Sequence, residues 1–162
     1  MTVQELSSWL SKTPPSQFIQ GNFWIIPTVQ SLHILAICAV ISSALLINLR
    51  LAGLVGSGDP VASFARRYLP WVWTALVVLL LTGLILIVAE PDRTLGNIIF
   101  WSKMALVGAG LLLALVFATP LGKNPTFWES AGHDVQGKFL GVVSLAVWIA
   151  VICSGRWIAY VG

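Results

Sequence analysis

Four stretches of the chain are almost unbroken in apolar residues, and each ends at proline, glycine or charge. They cover about residues 23–49, 70–89, 98–119 and 138–160. Each reaches the roughly 20 residues an α-helix needs to cross the hydrocarbon of a bilayer. Pro27 falls in the first turns of the first stretch, where a missing N–H is harmless. Glu90-Pro91 closes the second, and Pro120 stops the third. The pattern predicts an all-α, integral membrane four-helix bundle, with 1–162 as a single transmembrane domain.

Between the spans the pattern changes. Thr2 and Glu5 have the spacing of a capping box, and Val3, Leu6, Trp9 and Leu10 fall opposite Gln4, Ser7, Ser8 and Ser11. This predicts a short helix lying in the membrane interface, ended by Lys12-Thr13-Pro14-Pro15; a structureless tail is the plainer alternative. Asp59-Pro60 supplies an N-cap and first-turn pair for a second short interfacial helix, in the first loop, through Leu69. The second connection is tight, and residues 121–137 form a longer loop. Trp24, Tyr68, Trp71, Trp73, Trp101, Trp128, Trp157 and Tyr160 lie near span ends, as an aromatic belt requires, whereas Trp148 lies deep. Gly108, Gly110, Ala105, Ala109 and Ala114 in the third span permit close helix approach, as do Ser42, Ser43 and Ala44 in the first and Gly141 and Ser144 in the fourth.

Composition agrees. The chain is 57% hydrophobic and 9% charged, with a mean hydropathy of +0.90. Soluble domains carry roughly 25% charged residues, so lipid must solvate this surface and a soluble enzyme is excluded. The net charge of +3 forms no basic run, which leaves nucleic-acid binding without support. Residues 1–20 lack the pattern of a secretory signal, so the first span is expected to drive insertion. Arg50, Arg66, Arg67, Lys123 and Lys138 fall on the side of the first and third loops, against Lys12 and Arg93 on the side of the termini. That bias predicts a bacterial inner membrane with both termini periplasmic. Cys38 and Cys153 sit at different depths, too far apart for a disulfide, and are expected as small buried core residues.

The candidate chemistry centres on His33, about ten residues into the first span, because an ionisable group at that depth is costly. Helical spacing places Gln30, His33, Ile37, Ile41, Ala44 and Asn48 on one stripe, expected to face the bundle interior. Packing glue, with His33 hydrogen-bonded to Gln30 or to another helix, is the structural alternative. Lys103 lies one turn into the third span and Arg156 one turn before the end of the fourth, both on the same side as the start of the first. Two cations above an inward histidine suit a ligand with an acidic end and an apolar body. Haem b fits, with His33 as the axial (metal) ligand and Lys103 and Arg156 near the propionates. A quinone, fatty acid or steroid acid fits less specifically, and simple snorkelling to the headgroups is the bland account of both cations. His133, the other histidine, lies in the third loop on the opposite side, and Met104 is shallow. This leaves five-coordinate haem or a haem shared across a dimer. His133-Asp134 with Glu129 would hold a metal only weakly, and Glu90 and Asp92 are expected to cap the second helix. No constellation for an enzyme in its own right is present.

Three stretches carry a resemblance: Gln30-Ser31-Leu32-His33-Ile34-Leu35 with Asn48-Leu49-Arg50-Leu51-Ala52-Gly53; Phe100-Trp101-Ser102-Lys103-Met104-Ala105; and Ser144-Leu145-Ala146-Val147-Trp148 with Gly155-Arg156-Trp157-Ile158-Ala159-Tyr160. Together they resemble an uncharacterised family of small bacterial four-helix membrane proteins, a likeness that implies a fold and no activity. More distantly the chain is similar to copper-resistance D-type and urate-oxidase membrane domains, grouped with four-helix membrane b-type cytochromes. Their first helix also carries an inward histidine; this chain departs by lacking further intramembrane histidines. The expectations are a haem-binding protein serving electron transfer or haem handling, a non-catalytic subunit or assembly factor of a larger complex, or a binder of an amphipathic anion. Its partners would be the lipid bilayer, a second copy of itself or a redox protein.

Overall fold

A computed structural model describes residues 2–51, 54–55, 58–130 and 134–157, without the side chains of Asp134 and Arg156. Helices α1 (Val3–Ser11) and α2 (Pro14–Gly21) precede the first span, α3 (Ile25–Leu51). Then come α4 (Val61–Ala89), the five-residue α5 (Pro91–Leu95), α6 (Ile98–Lys123), a 3-10 turn (Phe127–Glu129) and α7 (Asp134–Trp157). Stretches within α3, α4, α6 and α7 are long and apolar enough to cross a membrane, as the hydrophobic pattern predicts. α3 packs on α4 and α7, and α7 on α6; α4 and α6 have no comparable interface with each other. Up to its last turns, the bundle is thus a curved row of four with a seam between its first and last members.

The expected short helix in the first loop is not separate. α4 runs unbroken from Val61 through Pro70. Val61, Ala62 and Ala65 are buried while Arg66 and Arg67 are exposed, so these first turns pack as an amphipathic extension of the span. Pro70 removes one donor to the carbonyl four residues back, and helix packing holds the helix through that single loss. Likewise α6 continues past Pro120 to Lys123, and α7 begins four residues before the expected Lys138. Asn97 caps α6, its side chain accepting from Ile99 N–H at 2.9 Å.

The N-terminal segment is ordered, not a tail. The capping box forms, with Thr2 N–H donating to Glu5 at 2.8 Å and Glu5 N–H to Thr2 Oγ1 at 3.2 Å. Pro14 and Pro15 do end α1, but they also start α2 as its first two residues, where an absent N–H costs nothing. α1 docks through one polar position: Ser7 is buried and its hydroxyl donates to the Asp92 carboxylate, while Gln4 and Ser8 are exposed along with Val3, Leu6 and Trp9. The exposed Val3, Leu6 and Trp9 suit a helix lying at a lipid surface. From α2, Gln20 Nε2 donates to the Ala89 carbonyl at 2.9 Å and to the fully buried Ser16 at 3.0 Å. Asp92 therefore serves this contact instead of merely capping α4, and Glu90 pairs with Arg93.

At the far end, Glu129 ties the loop to two helices. Its Oε1 accepts from Arg50 Nη2 at 2.9 Å and from Val61 N–H at 2.9 Å, so it caps α4 from 68 residues away. Glu129 is thus a structural link between the loop and α3 and α4; His133 and the Asp134 side chain lie outside the described residues. Trp128 is not a belt residue either: it is buried, stacks on Phe117 and donates its indole N–H to the Phe117 carbonyl at 3.1 Å. Trp9, Trp24, Trp101 and Trp157 are exposed near helix ends, and Trp71 is exposed ten residues into α4. Cys38 and Cys153 are free as expected but point outward, exposed, and do not belong to the core. Gly110 permits the tightest α6–α7 approach, since a Cβ there would stand 3.2 Å from the Trp148 ring; Gly108 faces open space and contributes nothing of the kind.

Candidate functional site

His33 is eight residues past the start of α3, about 12 Å along the helix axis. In the antiparallel α4, Thr82 is seven residues before Ala89, about 10 Å from that helix's end, so the two reach the same depth. His33 Nδ1 lies 2.7 Å from Thr82 Oγ1. The Thr82 hydroxyl, buried at 6% exposure, is itself 2.7 Å from the Val78 carbonyl of the preceding turn. A hydroxyl has a single proton. With that proton given to Val78, the threonine oxygen accepts from the histidine, which fixes the Nδ1–H tautomer. The lone pair of a neutral His33 then sits on Nε2, for which no described residue supplies a partner. Gly83 follows Thr82, and even a Cβ there would stand 3.7 Å from His33 Cε1, so α4 leaves the ring edge uncrowded.

Lys103 is five residues into α6 and half-buried. Its ammonium lies over Gly155 of α7, where a Cβ would be 3.5 Å from Nζ. It makes no ion pair or hydrogen bond with a described residue. Arg156 follows Gly155 in the last turn of α7, which places its backbone at the level of Lys103; its side chain lies outside the described residues. Gln30 does not join the group. It is exposed, and the partner of His33 comes from α4 instead. Met104 is exposed as well, on the outer face of α6.

The sequence-predicted residues thus separate. His33 and Lys103 both lie toward the end of the bundle where α3 begins, the backbone of Arg156 is at the level of Lys103, and Gln30 faces out. Thr82, Gly83 and Gly155 were not anticipated. The sequence carries little signal for the first two: Thr82-Gly83 lies in the second span at the depth of His33, but Thr74 interrupts the same span as well. Among the described residues no group of three or more histidine, cysteine, aspartate or glutamate side chains converges, so a bare metal ion finds no cage. The arrangement offers one imidazole nitrogen with its tautomer set, and one unpaired cation nearer the surface.

These features define a four-helix membrane protein with an intramembrane histidine whose ring is oriented by a threonine of the next span. The chain belongs to a family of unknown function, DUF6644, whose match covers residues 19–161 and so all four spans. No curated protein and no solved structure matches the chain.

Proposed function

We propose that this protein binds haem b in a bacterial inner membrane, with both termini periplasmic, and serves electron transfer or haem handling as a binding protein rather than an enzyme. The observation that carries the proposal is the committed proton of Thr82. It holds His33 with Nε2 as the free donor, the second-sphere arrangement by which proteins orient a metal-ligating histidine. With one side-chain donor and no cage, iron would have to arrive with its own equatorial nitrogens, as haem supplies them. Lys103, unpaired and nearer the membrane surface, would take a propionate, with Arg156 at the same level; Gly83 and Gly155 keep bulk away from the ring and the ammonium. The bound group would supply a one-electron couple. The chain's own residues would orient the ring, neutralise the acidic end and exclude water.

The test is an absorption spectrum of the detergent-purified protein, oxidised and dithionite-reduced, beside a His33→Ala variant. A Soret band with reduced alpha and beta bands, lost in the variant, is expected. A flat visible spectrum, unchanged when haem is added, would overturn haem binding. Lys103 would then favour an amphipathic anion such as a fatty acid, tested by lipid mass spectrometry of Lys103→Gln against the native chain. A docking subunit would instead be recognised by partners that co-purify.

A further inference from the structure

In the half of the bundle away from the termini, α3, α4, α6 and α7 all line a narrow crevice about 30 Å³ in volume at its enclosed part. The enclosed part has room for a small group only, and from there the crevice opens outward between the helices. Its walls are mostly apolar, with Val72, Leu113 and Phe117 on α4 and α6, and the exceptions are Asn48, Ser144 and Trp148. Asn48 is 7% exposed, and its Nδ2 group has no hydrogen-bond partner. Neither the Ser144 hydroxyl nor the Trp148 indole bonds to another described residue. The contrast with the rest of the chain is sharp. Ser42, Ser102 and Ser154 each donate to a carbonyl of their own helix, and Trp101 and Trp128 each donate to a backbone carbonyl. Buried donors in apolar surroundings are nearly always matched, and leaving one unmatched is costly. Gly141 allows α7 to close against the amide, since a Cβ there would stand 3.3 Å from Asn48 Oδ1. The site is therefore assembled by several helices around one buried unmatched donor, the Asn48 amide.

We propose that this crevice binds a neutral, carbonyl-bearing apolar molecule drawn from the bilayer. Its carbonyl oxygen accepts from Asn48 Nδ2, and its body lies along the seam between α4 and α6. The enclosed part admits the carbonyl end and the open part its ring or chain. No lysine or arginine lines the crevice, so a carboxylate or phosphate would be stranded there. The same chemistry is carried by the ring carbonyl of an isoprenoid quinone and by the ester carbonyl of a phospholipid. The site is separate from His33 and does not rest on haem being bound.

The experiment uses the full chain in detergent, titrated with decylubiquinone and followed by tryptophan fluorescence, for the native protein, Asn48→Leu and Ala114→Phe. Saturable quenching is expected in the native protein. At least a tenfold weaker affinity is expected in both variants, the second because its ring fills the crevice from α6. Asn48→Leu should melt at the same temperature or higher, because it removes an unmatched donor. Equal affinity in all three overturns the proposal. So does a lower melting temperature of Asn48→Leu with no saturable quenching of the native protein, which would mean that the amide is satisfied by buried water. Mass spectrometry of the native preparation separates the two sources. A quinone that co-purifies and is lost in Asn48→Leu assigns it as the ligand; phospholipid lost in the variant, with weak decylubiquinone binding, assigns the ester; neither overturns the site. The visible spectrum of Asn48→Leu should match the native one, so failure here is distinguishable from failure of haem binding.

Discussion

Thr82 shows how much a single hydroxyl determines at the scale of residues. Its proton goes to Val78 and its lone pair takes the His33 proton, so one side chain sets both the tautomer and the tilt of the ring. Thr82→Val preserves shape and removes the acceptor. If His33 ligates haem, this variant should bind added haem 10–100-fold more weakly, as measured by Soret titration, while His33→Ala abolishes the band. His33 and Lys103 were legible because ionisable groups stand out inside apolar runs. Thr82 was not, since hydroxyls in spans usually bond back to their own helix and signal nothing; Ser31, Thr74 and Thr119 do just that. Gln30 was misplaced for a geometric reason. It is about 60° around the helix from His33, inside a plausible stripe, and only the side from which α4 packs decides which edge of that stripe is covered.

At the scale of elements, three spans were readable to within a few residues, while α4 begins nine residues before the expected Pro70, and the joints were not legible. Pro70 has the look of a helix start, but the buried Val61, Ala62 and Ala65 show that packing carries α4 through it. Glu129 could not have been assigned from spacing, because its two partners lie in α3 and at the start of α4. Replacing it by alanine removes the cap on Val61 N–H and the carboxylate partner of Arg50, whose side chain is only 12% exposed and keeps its bond to the Asp59 carbonyl. Glu129→Ala should lower stability by about 1–2 kcal/mol, read as a fall in the thermal midpoint in detergent without loss of helical signal. Glu129→Gln keeps an acceptor for Val61 and should recover part of the loss.

Over the whole molecule, four spans hold together through small residues placed where another helix must come close. Gly110 carries the Trp148 ring directly on its backbone, so Gly110→Val should force the ring to shift and destabilise the bundle by about 1–3 kcal/mol, again by thermal midpoint. Gly108→Val, facing open space on the same helix, should leave the midpoint unchanged. The two cysteines make a second prediction. Both are exposed on spanning helices, so a lipid-soluble thiol reagent should label Cys38 and Cys153 in membranes, and oxidation should yield no intramolecular cross-link on non-reducing gels. Composition made the membrane class legible, but it does not say which face of each helix turns to lipid. That depends on the order of packing, with α4 and α6 at the ends of the row.

The N-terminal helices bear on how the protein is made. Ser7 finds its partner 85 residues later in the chain and Gln20 finds its own 69 residues later. During synthesis both side chains emerge long before α4 and α5 exist to receive them. Until the second span has crossed, α1 and α2 have only the bilayer surface and solvent to satisfy them. Their docking then marks completion of the first hairpin, so an amide-exchange or protease-protection time course at residues 3–21 would report insertion of the first two spans and not of the first alone.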